Sequence, residues 1–342
     1  MTHDLLIVGG GPAGLATALH AARVGLDVTV WEQRPGVVDK ACGEGLMPGA
    51  VAALQDLGVR PPGEPLNGIR YLDARRHVEA PFRAGPGRGV RRTTLHAALR
   101  HAVAEAGVTV ERRAATQIAQ NGDHVTVDGT AARYVVAADG LHSPVRRALG
   151  LDAQTTTRRR HGLRAHFTVQ PWTSYVEVHW AHAAEAYVTP VAPDVVGVAI
   201  LSATRGSFAD HLARFPAVRE RLDGLMPAGD VLGAGPLRQR ARSRVAGRVL
   251  LVGDAAGYVD ALTGEGIALA VAQARAAVAA VVAGQPERYA QEWREITFRY
   301  RWMTAALLGA TRVGPVRRAL VPAARLLPGV FATAVDTLAR PA

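Results

Sequence analysis

Apolar residues near the start of the chain form a pattern that alternates between strand and helix. Residues 5–8 are a continuous apolar run, which is typical of a strand covered on both faces. Residues 15–24 follow with an alanine-rich helical pattern that ends at Gly25, and residues 27–32 begin the next strand. This order of strand, glycine turn, helix and strand predicts a unit of parallel α/β structure.

The same kind of pattern returns twice further along the chain. Residues 93–107 predict a strong helix, residues 248–257 a buried parallel strand and residues 264–283 a long helix. We therefore assign three segments to one discontinuous α/β domain, residues 1–65, 90–150 and 245–285.

The segments between these visits, residues 66–89 and 151–244, predict a second, inserted domain. Residues 67–82 alternate enough for a hairpin. Four later runs alternate apolar and polar residues, as expected of an antiparallel sheet with one covered face. These runs are residues 163–169, 174–180, 185–190 and 195–201.

The tail, residues 286–342, is predicted to be helical and punctuated by Pro315, Pro322 and Pro328. Its apolar stripes and arginines leave several roles open: helices that cap the core, that close an apolar substrate tunnel, or that rest peripherally on a membrane surface. The chain contains no uninterrupted apolar stretch of about 18 residues.

Composition and charge narrow the class of protein. The 342 residues are 49% hydrophobic and carry a formal net charge of +11, almost all of the positive charge being arginine. The arginines are scattered and accompany no nucleic-acid-binding module, so we expect a solvated basic surface and no nucleic-acid partner. The single cysteine excludes an intramolecular disulfide, and the first apolar run lacks the basic start of a signal peptide; both favour the cytoplasm.

A glycine-rich turn supplies the first chemical motif. Gly9, Gly11 and Gly14 form G-x-G-x-x-G between the first strand and the first helix, and Glu32 ends the next strand. Glycines of this spacing allow a tight turn and let the backbone approach a pyrophosphate, which the helix N-terminus then binds. A carboxylate at the position of Glu32 suits the hydroxyls of a ribose, so the turn predicts a dinucleotide site.

Two later motifs indicate which dinucleotide. Asp139-Gly140 is followed by Ser143 and Arg146, and Gly253-Asp254 is followed by 264–267, which reads G-E-G-I. With these three motifs in this order, the chain resembles the flavoprotein monooxygenase superfamily of the para-hydroxybenzoate hydroxylase type, together with its geranylgeranyl reductase branch. The resemblance covers roughly residues 1–285. It implies a Rossmann-like FAD-binding domain with a doubly wound, mostly parallel sheet, an inserted antiparallel-sheet substrate domain and C-terminal helices.

The resemblance also implies roles for individual residues. Asp254 is expected on the FAD ribityl chain and Arg92 near the FAD phosphates. Asp139 is expected to contact FAD and to be needed when NADPH or NADH acts as transient electron donor. The helix start at 264–267 is expected at the flavin N1/O2 edge, where reduced flavin carries negative charge. The predicted FAD-binding residues are Gly9, Gly11, Pro12, Ala13, Gly14, Glu32, Gln33, Arg34, Lys40, Cys42, Gly43, Arg92, Asp139, Gly140, Gly253, Asp254, Gly264, Glu265, Gly266 and Ile267.

The resemblance leaves the reaction open. Residues 42–46, C-G-E-G-L, look like the C-G-G-G-L loop of geranylgeranyl reductases. Residues 262–267, L-T-G-E-G-I, look like their P-x-T-G-E-G-I motif, with Ala261 in place of the usual proline. We expect an NAD(P)H-dependent monooxygenase that hydroxylates an apolar phenolic or polyketide-like small molecule through a flavin C4a-hydroperoxide. A flavin-dependent reductase of alkenes is the alternative, and a non-catalytic flavin-binding redox module is a third.

The candidate catalytic residues are Cys42, in this loop, and two polar residues of the inserted sheet, His166 and Tyr187. Along the strand 174–180, odd and even positions alternate between the two faces, and either face could line the substrate pocket. The substrate is expected between the flavin and this sheet. The sequence leaves the oligomeric state open.

Overall fold

The structure is a computed structural model that describes residues 2–73, 75–154 and 159–340. Its strands are β1 His3–Val8, β2 Val28–Trp31, β3 Gly45–Leu46, β4 Glu64–Leu66, β5 Gly68–Leu72, β6 His77–Pro81, β7 Gly87–Gly89, β8 Thr109–Glu111, β9 Ile118–Asn121, β10 His124–Val127, β11 Thr130–Ala137, β12 Asp152–Ala153, β13 His161–Thr168, β14 Tyr175–Ala181, β15 Ala184–Ala192, β16 Val195–Ser202, β17 Leu232–Ala234, β18 Gln239–Ala241, β19 Val245–Ala246, β20 Val249–Leu251 and β21 Gly257–Tyr258.

The helices connect and cover these strands. They are α1 Pro12–Arg23, α2 Pro48–Asp56, α3 Arg92–Glu105, α4 Pro144–Ala148, α5 Phe208–Leu212, α6 Pro216–Arg221, α7 Gly266–Val282, α8 Pro286–Arg312, α9 Gly314–Leu326 and α10 Pro328–Ala339, with a 3₁₀ turn at Gly253–Ala256.

The first sheet is mostly parallel, as predicted. Its strands lie in the order β19-β20-β11-β1-β2-β8, and every neighbouring pair from β20 to β8 is parallel. The hairpin of β9 and β10 extends it antiparallel to β11. Because β2 and β11 flank β1 on opposite sides, the carboxyl end of β1 is a topological switch point, where open α/β sheets bind ligands. The predicted strand 248–257 is shorter than expected: β20 stops at Leu251, and Gly253, with a φ of +65°, turns the chain into the 3₁₀ turn.

The second sheet confirms the predicted hairpin and the four predicted strands. Its order is β17-β13-β16-β15-β14-β5-β6, antiparallel except for the β14–β5 pair. The expectation of one covered face was wrong, because both faces carry apolar side chains. Val188, Val198 and Ile200 pack beneath α5 and α6, whereas Val178 and Trp180 pack against α9 and α10.

The tail is helical, as predicted, but its prolines act differently from one another. Pro315 and Pro328 lie in the first turn of α9 and α10, where the missing N–H has no helical partner. Pro322 lies inside α9 without ending it. Within the part of the chain that the structure describes, no single helix is long and apolar enough to cross a membrane; α9 and α10 meet that test only as a pair, across a bend of 102°.

Candidate functional site

The glycine turn lies at the switch point, between β1 and α1. Gly9 has a φ of +109°, and a Cβ there would lie 2.4 Å from the carbonyl oxygen of Ala138. A Cβ on Gly14 would lie 1.8 Å from the Gly9 oxygen, so both glycines are required for packing. A Cβ on Gly11 would meet nothing within 4 Å. Gly11 therefore leaves open space in front of the N-terminus of α1, which has no side-chain cap and can bind an anion.

Glu32 borders this turn from the end of β2. Its carboxylate accepts hydrogen bonds from the backbone N–H of Gly10 at 2.9 Å and of Arg34 at 3.0 Å, and pairs with the Arg34 guanidinium. Burial opposes ionisation of Glu32, but the hydrogen bonds from Arg34 outweigh it and lower the pKa of the carboxyl group. The predicted neighbour Gln33 is exposed. Glu32 is thus held as an anion beside the turn.

His96 completes the support of the turn and was missed by sequence analysis. This fully buried residue of α3 bonds to the Gly10 carbonyl at 2.9 Å through Nε2, and its Nδ1 accepts from the Val38 N–H at 3.2 Å. The geometry places the ring hydrogen on Nε2. His96 therefore ties the glycine turn to the segment that leads into residues 39–45. The signal was weak, since His96 is one of 12 histidines and its partners are backbone groups.

Lys40 brings the three sequence motifs together. Its Nζ lies 3.2 Å from Oδ2 of Asp254 and 3.8 Å from the position of a Cβ on Gly140. Asp254 follows Gly253, where a Cβ would lie 2.8 Å from that of Ala13 in α1. The glycine turn, the Asp139-Gly140 turn and the Gly253-Asp254 turn therefore converge on one site.

Asp139 and the two residues that share its motif, Ser143 and Arg146, have different roles. Ser143 caps α4, and the buried Arg146 donates to the carbonyls of Leu141 and Ala255, so both hold the turns in place. Asp139 differs, because its Oδ2 accepts from the Val145 N–H while its Oδ1 is buried without a hydrogen-bond partner. Burial raises the pKa of Asp139, although a hydrogen bond from Ser143 opposes the rise.

The segment 264–267 forms the entry to α7. Gly264 has a φ of +72°, so the predicted helix begins two residues later, at Gly266. Glu265 is buried, and its Oε2 lacks a partner. Burial raises the pKa of Glu265 to about 7. Ile267, in the first turn of α7, packs on the main core.

The loop 42–46 joins this site to the second sheet. Cys42 is partly exposed, and its Sγ accepts from the N–H of Glu44 at 3.4 Å. Burial among protein atoms raises the pKa of the thiol, with Arg92 and Lys40 opposing the rise. Cys42 therefore stays a thiol at neutral pH and is not an activated nucleophile. The Gly43 carbonyl accepts from Thr189 of β15 at 2.9 Å, which fixes the loop against the sheet.

Glu44, a second residue that sequence analysis missed, anchors this loop. It is buried, adopts a φ of +60° and accepts from the Arg92 N–H at 2.8 Å and from Nε2 of His166 at 2.6 Å. Nδ1 of His166 in turn accepts from Arg164 at 2.9 Å. Both ring nitrogens of His166 are thus engaged, and this candidate catalytic residue holds the loop in place.

One face of the second sheet turns toward the converging motifs. His166 and Tyr187 lie on that face, together with Val178, whereas His179 points the other way and bonds to Glu177 at 3.0 Å. Tyr187 donates from its hydroxyl to the Leu262 carbonyl at 3.1 Å. Burial and the nearby Glu185 raise its pKa well above the ordinary value, so its hydroxyl stays protonated.

These residues fit FAD. The open side of Gly11 and the N-terminus of α1 suit a pyrophosphate, and Glu32 suits a ribose. Two buried polar atoms at the site, Oδ1 of Asp139 and Nε of Arg92, have no partner among the described residues and are available to a ligand. We infer that the predicted set from Gly9 to Ile267 lines one connected dinucleotide site.

Comparisons with known proteins show the family to which the chain belongs. Residues 2–223 match the family model described as "FAD binding domain", and the chain belongs to that family. It is similar to menaquinone reductase of Mycolicibacterium smegmatis, with 30% identity over 85% of this chain and 79% of the relative. It is also similar to digeranylgeranylglycerophospholipid reductase 1 of Methanothermobacter thermautotrophicus, with 29% identity over 77% of this chain and 73% of the relative.

A solved structure extends the likeness to the whole fold. The flavoprotein/dehydrogenase from Cytophaga hutchinsonii superposes with a TM-score of 0.84 over 98% of this chain and 92% of that one, at 18% identity. The protein is accordingly an FAD-dependent oxidoreductase with the predicted α/β fold.

Proposed function

We propose that the protein is a reductase that saturates a carbon–carbon double bond in the polyisoprenoid chain of a lipid-like substrate, with NADPH or NADH as electron donor. Bound FAD would supply the hydride. Besides this hydride for one carbon of the double bond, the reaction needs a proton for the other carbon. A hydroxylase of phenols would instead need a group that accepts a proton from the substrate.

The observation that carries the proposal is the protonation of the candidate residues. The Cys42 thiol and the Tyr187 hydroxyl are protonated at neutral pH at their ordinary pKa values, and burial raises both pKa values further. The ring nitrogens of His166 are occupied by Glu44 and Arg164. Since the Tyr187 hydroxyl already donates to the Leu262 carbonyl, the Cys42 thiol on the adjoining loop is left as the proton donor. This favours the reductase over the hydroxylase that the sequence alone led us to expect.

The relatives support the same choice. Both curated relatives named above are reductases, and both compounds in their names carry polyisoprenoid chains. The face of the second sheet that turns toward the site continues into an apolar cluster of Tyr71, Val178 and Trp180, which α10 covers with Phe331. We propose that an apolar chain enters along this cluster, between the sheet and α10, because apolar substrates are bound by apolar linings.

In this scheme the chain's own residues have separate tasks. Cys42 holds the proton that is transferred. Arg92 and Lys40 are near enough to its thiol to lower the pKa and so to favour release of that proton. Glu44 and His166 fix the loop that carries Cys42. Lys40 and Asp254 orient each other where the three motif turns converge.

Anaerobic turnover tests the proposal. We expect the FAD-loaded protein to oxidise NADPH or NADH in the presence of a polyisoprenoid quinone. After the ring is reoxidised in air, the product should retain two added hydrogens, which tandem mass spectrometry should place on the isoprenoid chain. Cys42→Ala should lower kcat by about 10²-fold without loss of bound FAD, because general acid catalysis contributes on that order.

Cys42→Ser, which retains an ionisable hydrogen, is the matched control and should lose less activity than the alanine variant. A product that contains an oxygen atom from O₂, formed only in air, would contradict the reductase and restore the hydroxylase. Unchanged kcat in Cys42→Ala would remove Cys42 from the mechanism and leave Tyr187 as the donor to be tested.

A further inference from the structure

A cavity of about 180 Å³ is lined by the 253–259 loop and by residues of β18, α7 and α8. It borders the FAD site, because Gly253, Asp254 and Gly266 of the predicted FAD-binding set also line it. Four arginines line it as well, and these lie outside that set. They are Arg238, Arg240, Arg244 and Arg301, and we call this space the arginine cavity.

The four positive charges in the arginine cavity are not neutralised by the protein. Within residues 2–73, 75–154 and 159–340, no carboxylate forms an ion pair with any of them; Asp254, which also borders the cavity, pairs with Lys40, and Asp260 pairs with Arg160. Like charges gathered in a partly enclosed space destabilise one another unless an anion joins them.

The arginines act on each other's charge. Arg240 contributes to lowering the pKa of both Arg238 and Arg301, after burial, and burial together with Arg301 lowers the pKa of Arg244 to about 10. Arg240, which is exposed, thus acts on the charge of all three of the other arginines.

Unused hydrogen-bond donors give a second, independent indication of a ligand. The guanidinium of Arg244 lies 3.8 Å from the ring centre of Trp293, and its buried Nε has no partner. Trp293 lines the cavity, is only 2% exposed, and its indole Nε1–H also lacks a partner. Buried donors without partners are rare in proteins and are commonly satisfied by a bound group.

We propose that the arginine cavity is a binding site for a phosphate-bearing ligand. Guanidinium groups bind phosphate oxygens through paired, charge-assisted hydrogen bonds, and several converge here. The half-buried ring of Tyr258, which also lines the cavity, offers an apolar surface to the part of the ligand attached to the phosphate. The site does not depend on whether the protein reduces a double bond.

Two sources supply this chemistry in the proposed reaction. One is a dinucleotide electron donor, with its phosphates, and the other is the headgroup of a phospholipid. Phe298 and Trp302, which are 72% and 67% exposed, lie within one turn of Arg301 on α8 and offer a surface for acyl chains beside the cavity.

Calorimetric titration of the FAD-loaded protein tests the site. Inorganic pyrophosphate should bind, more weakly as salt is added, and Arg240→Gln and Arg301→Gln should each weaken it by about tenfold or more. Both arginines are exposed, so neither exchange opens the core. Arg288→Gln, an exposed arginine of α8 outside the cavity, is the matched control and should bind like the unmodified protein.

Further titrations separate the sources. Binding of NADPH or NADH weakened by the same variants indicates the dinucleotide; binding of a short-chain phosphatidic acid so weakened indicates the headgroup. Absence of pyrophosphate binding, or equal binding by all four proteins, overturns the proposal. Loss of FAD from Arg240→Gln and Arg301→Gln during gel filtration, with FAD retained by Arg288→Gln, also overturns it, because the arginines would then serve the FAD site.

Discussion

At the scale of single residues, Gly11 and Gly14 belong to one motif but have different physical roles. Gly14→Ala would place a methyl group 1.8 Å from the Gly9 oxygen, and we expect a loss of about 3 kcal/mol or more in the free energy of unfolding. Gly11→Ala meets no protein atom, so stability should change by less than about 1 kcal/mol while FAD affinity falls by about tenfold or more.

Urea unfolding of the FAD-free variants and fluorescence titration with FAD measure the two effects. Full FAD affinity in Gly11→Ala would show that the pyrophosphate does not pass over Gly11.

Glu265 gives a prediction about pH. Its pKa in the folded protein is about 7 because it is buried, against 4.5 for the unfolded chain. A raised carboxyl pKa means that the folded state binds the proton more tightly, so the contribution of Glu265 to stability declines as pH rises from 4.5 through 7. Glu265→Gln removes this decline.

We expect the stability difference between Glu265→Gln and the unmodified protein to shift by about 3 kcal/mol in favour of the variant between about pH 5 and about pH 9. Urea unfolding of FAD-free protein at the two pH values measures it. A difference that is the same at both would show that Glu265 ionises normally.

The limits of sequence reasoning are also clearest for residues. Gly9, Gly11 and Gly14 were identifiable because the glycine turn is local and its chemistry depends on spacing. Glu44 was not identified, because its partner His166 is 122 positions away and only the folded chain brings the two together. The sequence did not show whether His166 or His179 faces the site, because that depends on which face of the sheet each occupies.

At the scale of elements, the turn between α9 and α10 carries an exposed apolar surface. Leu326, Leu327 and Val330 are 80%, 58% and 65% exposed, and Arg318 and Arg325 lie exposed on α9. Apolar side chains flanked by arginines match a membrane that contains anionic lipid. We propose that this turn makes the peripheral membrane contact that the sequence analysis left open.

Replacing both Leu326 and Val330 with serine should reduce binding to vesicles that contain phosphatidylglycerol by about tenfold or more, since each apolar side chain buried contributes about 1.5–3 kcal/mol. Vesicle flotation measures the bound fraction. Met226→Ser, at a side chain that is 82% exposed elsewhere, is the control and should bind normally. Equal binding by the unmodified protein, the double serine variant and Met226→Ser would show that this turn does not contact the membrane.

The elements themselves were largely predictable. Strands β13 to β16 and helices α3 and α7 follow from the pattern of apolar residues. Helix α3 buries a single stripe that contains Leu95, Leu99 and Val103, whereas the strands are buried on both faces and α7 on nearly all sides. The exceptions have physical causes. Gly253 ends β20 early through a left-handed φ, and α9 continues past Pro322 while its neighbour Val321 is buried against the second sheet. Packing of this kind is decided by distant segments and leaves no local signal.

At the scale of the whole molecule, the loop 42–46 is one of the connections between the mostly parallel sheet and the inserted sheet, through the contacts of Gly43 with Thr189 and of Glu44 with His166. The sequence predicted a mostly parallel sheet and an inserted antiparallel sheet, and the fold confirms both; the order of the strands across each sheet emerges only from the structure. The sequence did not predict that C-terminal helices would cover a second face of the inserted sheet, because the apolar residues of α10 and of β14 are far apart in sequence. The three-part domain division and the cytoplasmic location stay predictions.

Lys40, at the junction of the three motifs, has a consequence for the covalent chemistry of the chain. It is the only lysine in 342 residues, all other basic side chains being arginine or histidine. Every acylation, glycation or ubiquitin transfer directed at a lysine side chain therefore converges on the amine that faces Asp254. A modification that most proteins absorb at a remote surface would, in this one, neutralise or block a group inside the flavin site.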